Sequence, residues 1–344
     1  MATPVGSIIS RALRGEKDKV NCISFPTHER YQSYLGNTNA RYYLIHGTPG
    51  VKENGWISSY AAQPRNTILL PKSQNPLETL PPDIDFQCIV SQHRFGQFQT
   101  AHQLSKLLHI PHINIEHTLY MPFWPLERKT EFKKLKADIN IFISPQSREA
   151  WGWSEDEAEV ILHGVDTNTF KPMPNVQKKY DVISVVNDWV NRGDILGFDI
   201  WQRVVKDNFK WLVRGDTKGL STVPSNLFEL VTNYNEAKVF FNTSRYSPVP
   251  SVMLEAMACG IPVVTTDNCL ITDIIVDGYN GFKTNDENIM REKIKWLLDN
   301  PADARIIGEN ARKTITANFG LNQFVTSWDK VLYRAANMRY DWRL

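Results

Sequence analysis

Short continuous apolar runs alternate along the chain with longer stretches whose apolar residues recur every three or four positions. The runs read as buried parallel strands and the stretches as amphipathic helices. In the first half the pattern predicts strands over 20–25, 41–46, 67–70, 85–92, 110–118 and 137–144. Helices are expected over 26–35 and over 95–108, where Phe95, Phe98, His102, Leu104, Leu107 and Leu108 gather on one side. A third helix, 128–136, carries Arg128, Lys129, Lys133, Lys134 and Lys136. The first twenty residues read as an arm or short helix, 47–50 as a Gly/Pro turn, and 71–85 as a Pro- and Asp-rich loop. In the second half strands are expected over 180–186, 209–216, 237–242 and 261–266, with helices over 251–258, 286–299, 301–318 and 321–337. Strands and helices in such alternation define an α/β protein.

The segment 239–282 concentrates the signals. An apolar strand leads into Ser247-Pro248-Val249-Pro250, in which neither proline can donate a backbone hydrogen bond. Ser251 stands where an N-cap belongs, Gly260 closes the helix, and a second apolar strand follows. A helix N-terminus at the carboxyl ends of strands suits an anion, because orphan N–H groups and the helix dipole converge there. Glu255 is expected in the first turn of that helix.

Composition narrows the class. With 344 residues, 42% hydrophobic and 22% charged, the chain suits two globular α/β domains. It has no apolar run long enough to span a membrane, and its N-terminus lacks a cleavage signature, so a cytoplasmic protein without a secretory leader is expected. Cys22, Cys88, Cys259 and Cys269 show no paired spacing. A net charge of +2 exerts no overall pull toward nucleic acid or an anionic surface.

The run LEAMACGIPVVTTD followed by IIVDGYNGF resembles the donor-binding signature of the family 4 retaining glycosyltransferases. The resemblance implies the GT-B fold, two Rossmann-like domains facing each other across a cleft, with a C-terminal helix packing back on the first. Here that gives an acceptor-binding domain at 1–173, a nucleotide-sugar domain at 174–322, and a returning helix and tail at 323–344 in which Trp328, Tyr333, Tyr340 and Trp342 would dock. Glu255 matches the second Glu of the family's Glu-x7-Glu pair, which holds the donor ribose, and Ser247 stands in place of the first. The family's Gly-Arg and Lys-Gly, which hold the diphosphate, correspond to Asn187-Asp188 and Arg192-Gly193, so Arg192 takes the lysine's role and Asp188 departs from the pattern. The segment 160–172 resembles the family's interdomain stretch, with His163 in place of Asn. The glycine pair usual after the first strand is missing, and the resemblance covers about 86–335.

The implied activity is transfer of a sugar, with retention, from a nucleoside diphosphate sugar (a UDP-sugar above others) to an acceptor hydroxyl. Donor contacts are expected from Glu255, the backbone of Ser251, Val252 and Met253, Ser247, Arg192, Arg214 and Lys218. His117, at a strand end, is expected near the transferred sugar and, with Arg192, in the catalytic step. His28, His46 and His93 are acceptor-side candidates, and Glu116 reads as an edge or packing residue. No metal and no cofactor besides the donor are expected. Asp83-x-Asp85 lies in a loop of the other domain, and Asn242-Thr243-Ser244 is a chance sequon at a buried strand end. The acceptor is a polysaccharide, lipid or other glycan, or alternatively a hydroxymethylated pyrimidine in DNA. The basic helix beside Tyr120, Phe123 and Trp124 fits a peripheral membrane contact, a lipid phosphate or DNA. A sugar-nucleotide epimerase or a non-catalytic sugar-nucleotide-binding protein would share the fold.

Overall fold

The apolar runs pair in parallel because both faces of each strand can be covered by the helices that connect them. The computed structural model describes residues 19–47, 55–268 and 270–338; the N-terminal arm, the turn residues 48–50, Cys269, Tyr340 and Trp342 lie outside the described residues. The chain divides into two units, the first ending at Ile161 and taking in the chain again from Phe324, the second running Leu162–Gln323.

The first unit holds β1 (Val20–Phe25), α1 (Glu29–Leu35), β2 (Ala40–Leu44), β3 (Thr67–Leu69), β4 (Cys88–Ser91), α2 (Gln97–Leu108), β5 (His112–Glu116), α3 (Leu126–Lys134), β6 (Ile139–Phe142), α4 (Pro145–Ala150) and β7 (Glu159–Val160). Its sheet has the order β3-β2-β1-β4-β5-β6-β7, and every strand pair is parallel. The loop at 71–85 carries one 3₁₀ turn, Pro76–Thr79.

The second unit holds β8 (Tyr180–Val185), α5 (Gly193–Leu196), α6 (Phe198–Trp201), β9 (Trp211–Arg214), α7 (Leu227–Glu236), β10 (Ala237–Asn242), α8 (Ser251–Ala258), β11 (Val263–Thr265), α9 (Ile271–Ile274), β12 (Phe282–Lys283), α10 (Glu287–Asp299) and α11 (Pro301–Asn318). Its all-parallel sheet has the order β12-β11-β10-β8-β9. The chain passes back to the first unit within α12 (Leu321–Ala336), where Trp328 donates from its indole nitrogen to the Tyr31 hydroxyl at 3.1 Å and Phe324 meets the Tyr31 ring edge-on.

The change of unit comes at Ile161, earlier than the expected break after residue 173, because the intervening segment is tied to the second unit's own elements. Val165 bridges to Gly320, Arg312 donates to the carbonyls of Thr167, Phe170 and Ala258, and Asn235 binds the Lys171 carbonyl and the Met173 amide.

Two buried features of the first unit were not legible in sequence. Cys22 and Cys88 sit opposite each other on β1 and β4 with their sulfurs 3.2 Å apart. On β5 the alternate residues His112, Asn114 and Glu116 are all buried polar groups. His112 Nε2 meets the Ser91 hydroxyl at 2.7 Å, and Asn114 donates to that same hydroxyl. Glu116 accepts from the Thr118 amide and hydroxyl and lies 3.8 Å from buried Arg94, so it is a packing residue at the sheet centre, not the edge. Arg94 is further held by Asn140 and by the faces of Phe132, Phe142 and Trp153, and burial lowers its guanidinium to about 10.

Burial also pushes the His112 imidazole from 6.5 down to about 3. Between those two values the unfolded chain binds a proton that the folded chain refuses, so stability falls as pH falls through that window. The loss is expected to approach about 1.4 kcal/mol per pH unit for this one proton. His112→Gln should flatten the acid limb of stability, measured by urea unfolding across the window. A slope equal to that of the wild type would show that His112 takes up its proton in the folded state.

Candidate functional site

In open parallel sheets a ligand crevice lies where the strand order reverses, outside the carboxyl ends of the strands. In the second unit that point falls between β8 and β10, and the loops leaving these two strands carry most of the expected donor contacts. The loops are stitched together. The Thr243 hydroxyl donates to the Leu196 carbonyl at 2.7 Å, and the amides of Arg245 and Tyr246 both reach the Ile195 carbonyl. The contact is close enough that a Cβ at Gly197, whose φ is 66°, would overlap the Thr243 carbonyl.

The loop after β10 ends in Pro250, which is itself the N-cap of α8, and Ser251 is the first helical residue with no capping bond from its side chain. This corrects the expected Ser251 cap. Pro250, with φ fixed near −77°, turns the chain one residue earlier, and its carbonyl accepts from the amides of Met253 at 2.9 Å and Leu254. The Met253 amide is therefore occupied. Among the described residues no carbonyl takes the amides of Ser251 and Val252, which stay available at the helix mouth.

Glu255 lies in the second turn of α8, not the first, and is only 4% exposed. The Tyr234 hydroxyl, on α7, stands 3.0 Å from its Oε2 and 3.2 Å from the Val252 carbonyl. Tyr234 itself meets Phe170 edge-on and Phe240 at a tilt. One carboxylate oxygen is thus fixed from below. Tyr234 was missed because it shares the apolar stripe of α7 with Leu230 and Val231 and reads as core. Tyr234→Phe keeps the ring and removes the donor. It should cost about 1–2 kcal/mol of stability and weaken a ligand held by Glu255 about tenfold, read by urea unfolding and calorimetric titration.

The expected cations divide. Arg214 is consumed by Asn233 at 2.7 Å, Thr222 at 2.8 Å and Glu229 at 2.8 Å, so its charge is matched inside the unit. Arg192 is exposed at the N-cap of α5, and Lys218 is exposed beside Gly219. Asp188 occupies a left-handed turn position with φ 49° and accepts from Asn191 at 2.7 Å, closing the loop in which the resemblance places an arginine. Ser247 is half-buried in the loop before α8.

In the first unit the strand order reverses between β1 and β4. His117 follows β5, and its ring meets Tyr31 edge-on at 4.6 Å and His28 edge-on at 5.4 Å, so the structure brings His28 and His117 together. His46 is tied through Nε2 to the Leu70 carbonyl at 2.7 Å, and His93 Nδ1 accepts the Phe95 amide at 2.9 Å. Both of these serve the loops they sit in, and neither joins the His28–His117 pair.

The two parallel sheets and their strand orders define a GT-B glycosyltransferase fold. Residues 221–314 match the family described as glycosyl transferases group 1. An uncharacterized glycosyltransferase of Methanocaldococcus jannaschii, MJ1178, is 32% identical over 136 residues, which are 34% of this chain and 39% of that relative's length. Among solved structures, a sucrose-phosphate synthase from Thermosynechococcus elongatus superposes with a TM-score of 0.68 at 17% identity, covering 92% of this chain and 98% of the other. Alr3699/HepE of Anabaena, solved in complex with UDP and glucose, superposes with a TM-score of 0.69 at 14% identity, covering 92% and 99%.

Proposed function

We propose that this chain is a retaining glycosyltransferase that moves a sugar from a UDP-sugar to an acceptor hydroxyl. The observation that carries the reading is Glu255, a buried carboxylate with one oxygen held by Tyr234, on a helix whose first two amides are available at the sheet's switch point. Its second oxygen would accept from the ribose hydroxyls. The Ser251 and Val252 amides, with Arg192 and Lys218, would take up the charge that develops on the diphosphate as the sugar leaves. UDP in the Anabaena structure supports this donor class. The absence of a carboxylate at Ser247 agrees with front-face transfer, in which no protein nucleophile is used. The anomeric carbon–diphosphate bond breaks, the acceptor oxygen bonds to the same face, and the acceptor proton passes to the departing diphosphate. His117 would hydrogen-bond a hydroxyl of the transferred sugar.

The test is release of nucleoside diphosphate from a panel of nucleotide sugars offered with glycan and lipid acceptors, the product anomer being read by NMR. Release from a UDP-sugar with an unchanged anomeric configuration is expected. An inverted product would overturn the mechanism, and no release with any donor and acceptor of the panel would overturn the function.

A further inference from the structure

Helix α3 is held to the first unit by one buried side chain of its own, Phe132, while seven of its nine residues are exposed. At its start two large apolar side chains stand out into solvent, Phe123 at 59% and Leu126 at 69% exposure. Helical spacing puts Leu126, Lys129, Thr130, Lys133 and Lys134 on one stripe, and all five border a hollow of about 470 Å³ whose floor is Trp151 and Gly152. The acids of the helix, Glu127 and Glu131, fall on the neighbouring stripe. On the other flank Arg128 lies 4.3 Å over the Trp124 ring and 5.4 Å over Phe95, and Lys129 lies over Tyr120, so aromatic faces orient the cations.

We infer that this face of the first unit docks on an anionic lipid surface, with Phe123 and Leu126 entering the interface and Arg128, Lys129, Lys133, Lys134 and Lys136 meeting headgroup phosphates. One feature selects this occupant over a nucleic acid. An aliphatic side chain such as Leu126 neither pairs with a phosphate nor stacks on a base, whereas an interfacial helix uses apolar and cationic side chains together. The existing partners of the cations are replaceable. Lys133 pairs with Glu157 at 3.0 Å and Lys134 with Glu131 at 2.6 Å, at exposed positions where such pairs hold weakly. The sequence left membrane, lipid phosphate and DNA equally open, and the exposure of Phe123 and Leu126 separates them.

Docking is independent of the proposed donor site, so the assay needs no nucleotide. The full chain is sedimented with vesicles of phosphatidylcholine alone and of equimolar phosphatidylcholine and phosphatidylglycerol. Binding is expected to the mixed vesicles and not to the neutral ones, weakening with salt. Phe123→Ser with Leu126→Ser should reduce it at least tenfold, and Lys129→Glu with Lys133→Glu by about fivefold or more per cation lost. These side chains are at the surface, so Tm should not move; Leu126→Gln alone serves if the double variant loses stability. Absence of binding to the mixed vesicles, equal binding to both kinds, or full binding by the apolar variant would each overturn the inference, the last by reducing the patch to a polyanion site that duplex DNA would occupy equally well.

Discussion

Replacing Glu255 by Ala should lower affinity for UDP about a hundredfold while leaving the unliganded fold nearly as stable as before. The affinity loss follows from two charge-assisted hydrogen bonds to neighbouring ribose hydroxyls, worth together about 3 kcal/mol. The stability argument rests on Tyr234. When the carboxylate is removed, its hydroxyl keeps the Val252 carbonyl at 3.2 Å, so the Tyr234 donor is not orphaned. Glu255→Gln retains one acceptor oxygen and should fall between the two. The variants are compared by calorimetric titration with UDP and by urea unfolding without it. A large loss of stability with unchanged affinity would make Glu255 a structural residue and remove the basis of the proposed site.

The second large effect is expected at Gly308. In the middle of α11, Gly→Ala ordinarily stabilises by about 1 kcal/mol, because glycine is a poor helix former. Here the opposite sign is expected. A Cβ at Gly308 would overlap the Gly260 carbonyl and approach the Pro262 ring at 3.4 Å, and Gly260 is the left-handed residue, φ 73°, that ends α8 and starts the turn into β11. Arg312, one turn further along α11, grips the Ala258 carbonyl of the same turn. Relief of the clash must move α11 or the turn that fixes α8, so Gly308→Ala should cost about 3 kcal/mol, as overpacked sites do. A urea midpoint equal to or above that of the wild type would show that α8 and α11 are not packed as described.

How much of this was legible in sequence depended on the range of the interaction. The strands at 20–25 and 237–242 and the helices at 251–258 and 301–318 coincide with the observed elements, because hydrophobic period and punctuation act over a few residues. Boundaries shifted where side chains compete with the backbone. Helix α1 begins at Glu29 because Thr27 is drawn back to Gln92, and the strand expected from residue 85 begins at Cys88 because Asn21 engages Gln87 and the Asp85 carbonyl. The cap of α8 moved to Pro250 because a proline carbonyl closed the turn before the serine could. What pattern could not show were partners brought together by the fold: Tyr234 under Glu255, Glu229 on Arg214, Cys22 opposite Cys88, and Arg94 beside Glu116. Exposed Arg192 and Lys218 stayed candidates because among the described residues no side chain pairs with their charge, whereas Arg214 is consumed.

Thermal unfolding of the unmodified full chain with and without UDP tests the central claim most directly. At a hundredfold excess over its dissociation constant the nucleotide should add about 2.7 kcal/mol of stability, seen as a concentration-dependent rise in Tm that Glu255→Ala abolishes. An unchanged Tm with UDP and with every other nucleoside diphosphate would contradict a nucleotide site at the β8–β10 switch point, and the transferase reading with it.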